Sequence, residues 1–158
     1  MHDLATRLVA ADHPCLAGAT QRFADELRQE RRFFGRQARD VCKPFPSAIA
    51  EVTRPDGIRL GLVEGDRVVA LARVDAHGTA TMAVVADRRR AGLGTRLLRA
   101  VVERAHGHGF DRIVMPASFR SASLVEVGTS LGATVVDLGR GRIDLIFDAD
   151  AARAPVSA

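Results

Sequence analysis

The stretch that decides the fold reads AVVADRRRAGLGTRLLRAVVERA, from Ala83 to Ala105. An apolar run closes near Ala86, and Arg88, Arg89 and Arg90 make a basic turn. Gly92 and Gly94 follow. Leu93, Leu97, Leu98, Val101, Val102 and Ala105 then recur at helical spacing. A strand, a basic glycine turn and a long amphipathic helix are predicted in that order. Glycines at a helix start let a ligand approach the backbone, and the first helical turn leaves N–H donors unpaired. Those donors and the helix dipole suit a phosphate or pyrophosphate. The common dinucleotide fingerprint would need a glycine where Leu97 stands, and no Gly-Lys-Ser/Thr occurs. Two plainer readings stand beside the ligand: the glycines shape a tight connection, or the arginines form a solvated face.

Upstream, four strands are predicted over Ala48–Thr53, Ile58–Val63, Val68–Val74 and Thr79–Val85. Turn sequences at Arg54–Gly57, Glu64–Asp66 and Asp75–Gly78 join them into an antiparallel meander. Downstream, a short strand runs over Arg112–Met115 and stops at Pro116. A helix over Ser118–Leu131 is capped by Gly132, and strands Ala133–Leu138 and Arg142–Phe147 close the pattern. The opening is helical: Asp3–Ala10, then Leu16–Arg31, then a turn and a short helix within Glu30–Arg39. The tail from Asp148 reads as frayed.

Composition narrows the class. With 47% apolar residues, the 158-residue chain can build one sizeable core. It has no Trp or Tyr, so base stacking on those rings is excluded. The net charge of +4 is carried almost wholly by arginine, Lys43 being the only lysine. Such a charge suits an anionic ligand without demanding one. Cys15 and Cys42 are read as free thiols. No leader and no apolar run of about 18 residues is seen, so a soluble cytoplasmic protein with no membrane partner is expected. The scattered histidines suggest no metal site; His106 and His108 sit in a helix terminus.

The segment RRAGLG, Arg89–Gly94, resembles the pyrophosphate loop of the GNAT superfamily of N-acetyltransferases, Arg/Gln-x-x-Gly-x-Gly/Ala. The resemblance extends over the element order from Ala48 to Phe147. RFFGRQ and GLVEGDRVVALARVD resemble the bacterial protein-lysine acetyltransferase branch more loosely. It implies an α/β fold with a mixed, mostly antiparallel central sheet flanked by helices. It also implies a single domain over residues 1–148, with its core at 48–147 and a flexible tail at 149–158. Arg89, Arg90, Ala91, Gly92, Leu93, Gly94 and Thr95 would grip the pyrophosphate of acetyl-CoA. Met82, Ala83, Val84 and Val85 would pair with its pantetheine arm, and the fourth strand would splay from Ile113–Met115.

The catalytic side departs from that pattern. The lysine-acetylating branch carries a glutamate base near the start of the fourth strand, where Ala80 stands here. No ionisable side chain lies between Thr79 and Ala86. Glu51, His77 and Ser121 are the candidate catalytic residues, each with a plainer role as surface charge, turn residue or helix cap. The expected activity is acetyl transfer from acetyl-CoA to an amine, on a protein lysine or a small molecule. The alternative is a catalytically silent acyl-CoA-binding domain. A nucleic-acid module is disfavoured, because no known motif accompanies the arginines. The oligomeric state is left open.

Overall fold

The computed structural model describes residues 5–10, 13–34, 46–89, 91–118 and 122–150. The chain runs β1 (Arg7–Ala10), α1 (Pro14–Phe34), α2 (Pro46–Val52), β2 (Ile58–Glu64), β3 (Arg67–Val74) and β4 (Ala80–Val84). A short 3-10 turn at Ala86–Arg88 leads into α3 (Leu93–Gly107). Then come β5 (Arg112–Ser118), α4 (Ala122–Ser130), β6 (Thr134–Gly139) and β7 (Arg142–Asp148). β1–β2–β3–β4 form one antiparallel sheet, and β5–β7–β6 form another. This is the α/β GNAT architecture that the resemblance implied.

Helices cover both faces of the first sheet. α1 and α2 pack on one face of β3, and α3 packs on β2, β3 and β4. β3 is therefore buried from Val68 to Val74, with Arg73 the exception in chemistry though not in burial. The apolar stripe of α3, Leu97, Leu98, Val101 and Ala105, is fully enclosed. With Leu62, Leu71, Ile113, Ile143 and Leu145 it makes one core that continues from the first sheet into the second. Burying each such aliphatic side chain stabilises the fold by roughly 1.5–3 kcal/mol. No helix among the described residues is long and apolar enough to cross a membrane.

Five local expectations need correction. The helix expected to end at Ala10 is instead strand β1, an edge strand pairing Leu8 with Leu62 and burying Val9. A four-residue apolar run has no period of its own, and the open edge of β2 decides it. The strand expected at Ala48–Thr53 is α2. Pro46 occupies its first turn, where a missing N–H costs nothing, and Ile49 and Val52 face the core three residues apart. Glu30–Phe34 continues α1 rather than turning, while residues 35–45 lie outside the described residues. β5 runs past Pro116 to Ser118, because its other edge is paired along its whole length with β7. Asp148, expected to open a frayed tail, ends β7, and the Ala149 N–H donates to the Asp111 carbonyl at 2.8 Å; residues 151–158 lie outside the described residues.

The two sheets meet at one parallel bridge, Thr79 beside Val114, where the Val114 N–H donates to the Gly78 carbonyl at 2.9 Å. The next rung of a parallel ladder would need an N–H at position 116 to reach the Ala80 carbonyl. Pro116 has none, so β4 and β5 part beyond the bridge. Gly78 sits at this joint with φ +82°, and an added Cβ would fall 2.8 Å from the Arg112 carbonyl oxygen. Gly78→Ala is therefore expected to destabilise the fold by about 2 kcal/mol or more, combining left-handed strain with that clash. Urea unfolding checks this; an unchanged midpoint and slope would contradict the joint.

Candidate functional site

The splay leaves β4 with an open edge, and its backbone polarity can be read. Val85 N–H donates to Val69 on β3 at 3.0 Å. Alternation then turns the backbone groups of Val84, Met82 and Ala80 away from β3, toward the splay. Gly78 fits this order, since its carbonyl meets β5. So does Val84, whose carbonyl accepts from Arg89 Nε at 3.0 Å.

The helix that follows begins without a side-chain cap. Gly92, its N-cap, lies at φ +77° with open space around it, a conformation that glycine adopts without strain. The first bond to its carbonyl comes from Arg96 at 3.1 Å. The N–H groups of Leu93, Gly94 and Thr95 precede that bond and have no hydrogen-bond partner among the described residues. Gly94 lies against β4: a Cβ there would stand 3.6 Å from Met82 Cε and 4.0 Å from Val84 Cγ2. The structure thus brings Met82, Val84, Gly92, Leu93, Gly94 and Thr95 together at the mouth of the splay. Arg90 lies outside the described residues.

Arg88 and Arg89 face elsewhere. Arg89 Nη2 donates to Glu30 Oε2 at 3.0 Å, and the other oxygen of Glu30 accepts the Ala86 N–H at 2.7 Å. Arg88 Nε reaches both oxygens of Glu64, at 3.0 and 3.2 Å. Arg67, at the start of β3, bonds Glu26 on α1 and donates to both oxygens of Asp87 at 2.9 and 3.1 Å. Carboxylates on α1 and β2 therefore clamp the turn between β4 and α3. Sequence reading missed this clamp. Glu30 is 56 and 59 positions from its partners, so no local pattern announces it.

The catalytic candidates sit on different elements or outside the described residues. Glu51 lies on α2, not on a strand; Arg73 Nη1 donates to it at 3.2 Å, and Arg54 stands 3.7 Å away. His77 is exposed in the turn before β4, its N–H donating to Asp75 Oδ1 at 2.8 Å. Ser121 lies outside the described residues. Ala80 is 1% exposed and shares the strand face of Met82 and Val84, the face toward Gly94. His106 and His108 close α3 by bonding the Phe110 and Arg104 carbonyls, at 2.7 and 2.8 Å. Among the described residues, no three His, Cys, Asp or Glu side chains gather as a metal site would require.

Residues 21–128 match the model of the acetyltransferase (GNAT) family. The chain belongs to the GNAT family. No curated protein matches the sequence. Solved GNAT structures share the fold at low identity. The GNAT domain of PAT from S. lividans is 17% identical with a TM-score of 0.68, over 90% of each chain. The putative acetyltransferase yncA from Salmonella typhimurium, solved with its cofactor acetyl-CoA, is 18% identical with a TM-score of 0.65, over 98% of this chain and 99% of its own. The ribosomal-protein-S18-alanine N-acetyltransferase from Escherichia coli is 16% identical with a TM-score of 0.57, over 90% and 91%. Family membership supports acetyl-CoA-dependent acyl transfer in general.

The clamp has a pH signature. Hydrogen bonds from Arg67, followed by its charge and that of Arg88, hold the Asp87 carboxyl below the usual carboxylate range. A carboxyl depressed on folding adds stability above its unfolded value, about pH 4, and loses it as pH falls through the lower folded value. Asp87→Asn is expected to destabilise the fold at pH 6–7 by no more than about 1 kcal/mol for so exposed a pair, read as a lower melting temperature. The gap from wild type should close as the pH falls below about 4. A gap that stays constant down to pH 2 would contradict the clamp.

Proposed function

We propose that this GNAT chain is an N-acetyltransferase, moving an acetyl group from acetyl-CoA directly to an amine. The observation that carries this reading is the uncapped start of α3 set against the open edge of β4. The N–H groups of Leu93, Gly94 and Thr95, with the loop at Ala91 and Gly92, would hold the pyrophosphate. Because Arg88 and Arg89 are paired with Glu64 and Glu30, backbone donors and the helix dipole supply most of that attraction. The outward backbone groups of Ala80, Met82 and Val84 would receive the amide-bearing arm. When bound, acetyl-CoA supplies an acyl group activated as a thioester.

The chain's own part in proton removal is small. β4 carries no ionisable side chain, and the oxygens of Glu51 already face two guanidinium groups. The amine must reach the site neutral, or lose its proton to water or to a side chain beyond β4 such as His77. A lysine-type amine is neutral in only about one molecule in 2,500 at pH 7. Positioning along β4 is then the main source of acceleration. The same bare strand favours a second reading, a domain that binds acyl-CoA without turnover.

Calorimetry and thiol release test both. CoA should bind more tightly than pantetheine, which lacks the pyrophosphate. Gly94→Glu should fold, since its Cβ meets only ordinary contacts and a carboxylate suits a helix start. It should nevertheless lose CoA affinity at least about a hundredfold, as two like charges about 4 Å apart repel by about 4 kcal/mol at intermediate dielectric. Thiol release with primary amines should climb steadily from pH 7 to 9. Equal affinity for CoA and pantetheine would remove the loop from the site. Tight CoA binding without release on any amine across that range would leave the silent binder.

A further inference from the structure

On the sheet face covered by α1 and α2, Arg59, Arg73 and Thr81 stand directly opposite one another across β2, β3 and β4. Like charges in opposite positions repel, and burial sharpens the effect. Arg73 is compensated. Its Nε donates to the Asp56 carbonyl at 2.8 Å, Nη2 to Asp56 Oδ2 at 2.9 Å and Nη1 to Glu51 Oε2 at 3.2 Å. Arg54 draws on the same two carboxylates, at 3.2 and 3.7 Å.

Among the described residues, no carboxylate bonds Arg59. Its Nη2 makes one long bond to Thr20 Oγ1, at 3.5 Å. That hydroxyl donates its own proton to the Leu16 carbonyl at 2.6 Å. The Nε of Arg59 is buried with no hydrogen-bond partner among the described residues. Among the described residues, three guanidinium groups thus share two carboxylates, and the surplus charge rests on a half-buried side chain with an orphaned donor. Such a donor is costly to leave unmade. Burial, and then the repulsion of Arg73, pushes the Arg59 guanidinium pKa down, with Asp56 alone pulling the other way.

We propose that Arg59, assisted by Thr20, is the anchor of an anion subsite, and that the amine acceptor carries a carboxylate that docks there. Two strand spacings, about 10 Å, separate Arg59 from Thr81 at the backbone. Thr81 lies on β4, between Ala80 and Met82, whose backbone groups face the splay. A carboxylate held by Arg59 would place the amine of a short, flexible amino acid over β4. The acceptor class is then amino acids rather than plain amines. This rests on the acetyltransferase reading for what happens to the amine, but not for the anion contact itself.

Two measurements on the full chain separate those claims. In sodium chloride, Arg59→Met should melt no lower than wild type, because it removes an uncompensated buried charge. Replacing chloride with sodium acetate at equal ionic strength should raise the melting temperature of wild type more than that of Arg59→Met, with Arg59→Lys between. Thiol release should favour glycine, β-alanine or 4-aminobutyrate over the corresponding primary amides by about tenfold or more in kcat/KM, as a charge-assisted pair allows. In Arg59→Met that preference should vanish. CoA affinity, which depends on the start of α3, verifies that the variant is folded. An Arg59-dependent acetate shift without turnover on any amine would support the subsite and sink only the acetyltransferase reading. Turnover with no carboxylate preference, together with an Arg59→Met variant that melts lower in both salts, would make Arg59 structural and overturn the subsite. A preference for 3-aminopropylphosphonate over 4-aminobutyrate would overturn the carboxylate assignment.

Discussion

The bond from the Val114 amide to the Gly78 carbonyl is where the two sheets of the described structure are joined, and where they begin to part. Parallel strands that start side by side normally continue to pair, since every rung satisfies a backbone donor and acceptor. Pro116 breaks the series at its next rung. One edge of β5 is left without a donor there, while its other edge remains fully paired to β7. The consequence is a notch where β4 and β5 diverge beyond the bridge. The backbone groups of Ala80, Met82 and Val84 remain on its rim. A ligand with its own amides can complete what the proline prevents.

The entrance to that notch is held by charge pairs that leave the helix start unobstructed. Glu26, Glu30 and Glu64 pair with Arg67, Arg89 and Arg88 and so tie the first part of the turn to α1 and β2. Each pair is partly exposed and individually weak, and their joint role is positional. Gly92 then turns the chain in the left-handed region, and Gly94 lets β4 approach within van der Waals distance. The arginines look like phosphate ligands in the sequence. In the fold Arg88 and Arg89 act on the protein's own carboxylates, and the groups left unpaired at the start of α3 are peptide N–H donors.

What the sequence disclosed follows from the range of the forces involved. α3 was legible because its apolar stripe repeats over four turns and its glycine entry is local. The hairpins from Ile58 to Val84 were legible because turn glycines separate runs of apolar residues. Arg7–Ala10 was misread because its state depends on β2, more than 50 residues away. Ala48–Thr53, expected as a strand, is helical because Pro46 suits a first helical turn and Ile49 and Val52 face the core three residues apart. The surplus of guanidinium over carboxylate around Arg59 was invisible for the same reason as the clamp. It arises only when β2, β3, α1 and α2 are stacked.

Amide chemical shifts during a CoA titration test the account most directly, because the contacts at stake are backbone contacts. The largest changes are expected at Leu93, Gly94 and Thr95, with smaller ones at Met82 and Val84, while β1 and the outer strand β6 stay still. Saturating CoA that leaves Leu93–Thr95 unmoved, or whose main effects fall on β6 and β7, would contradict a site built from the α3 start and the open edge of β4.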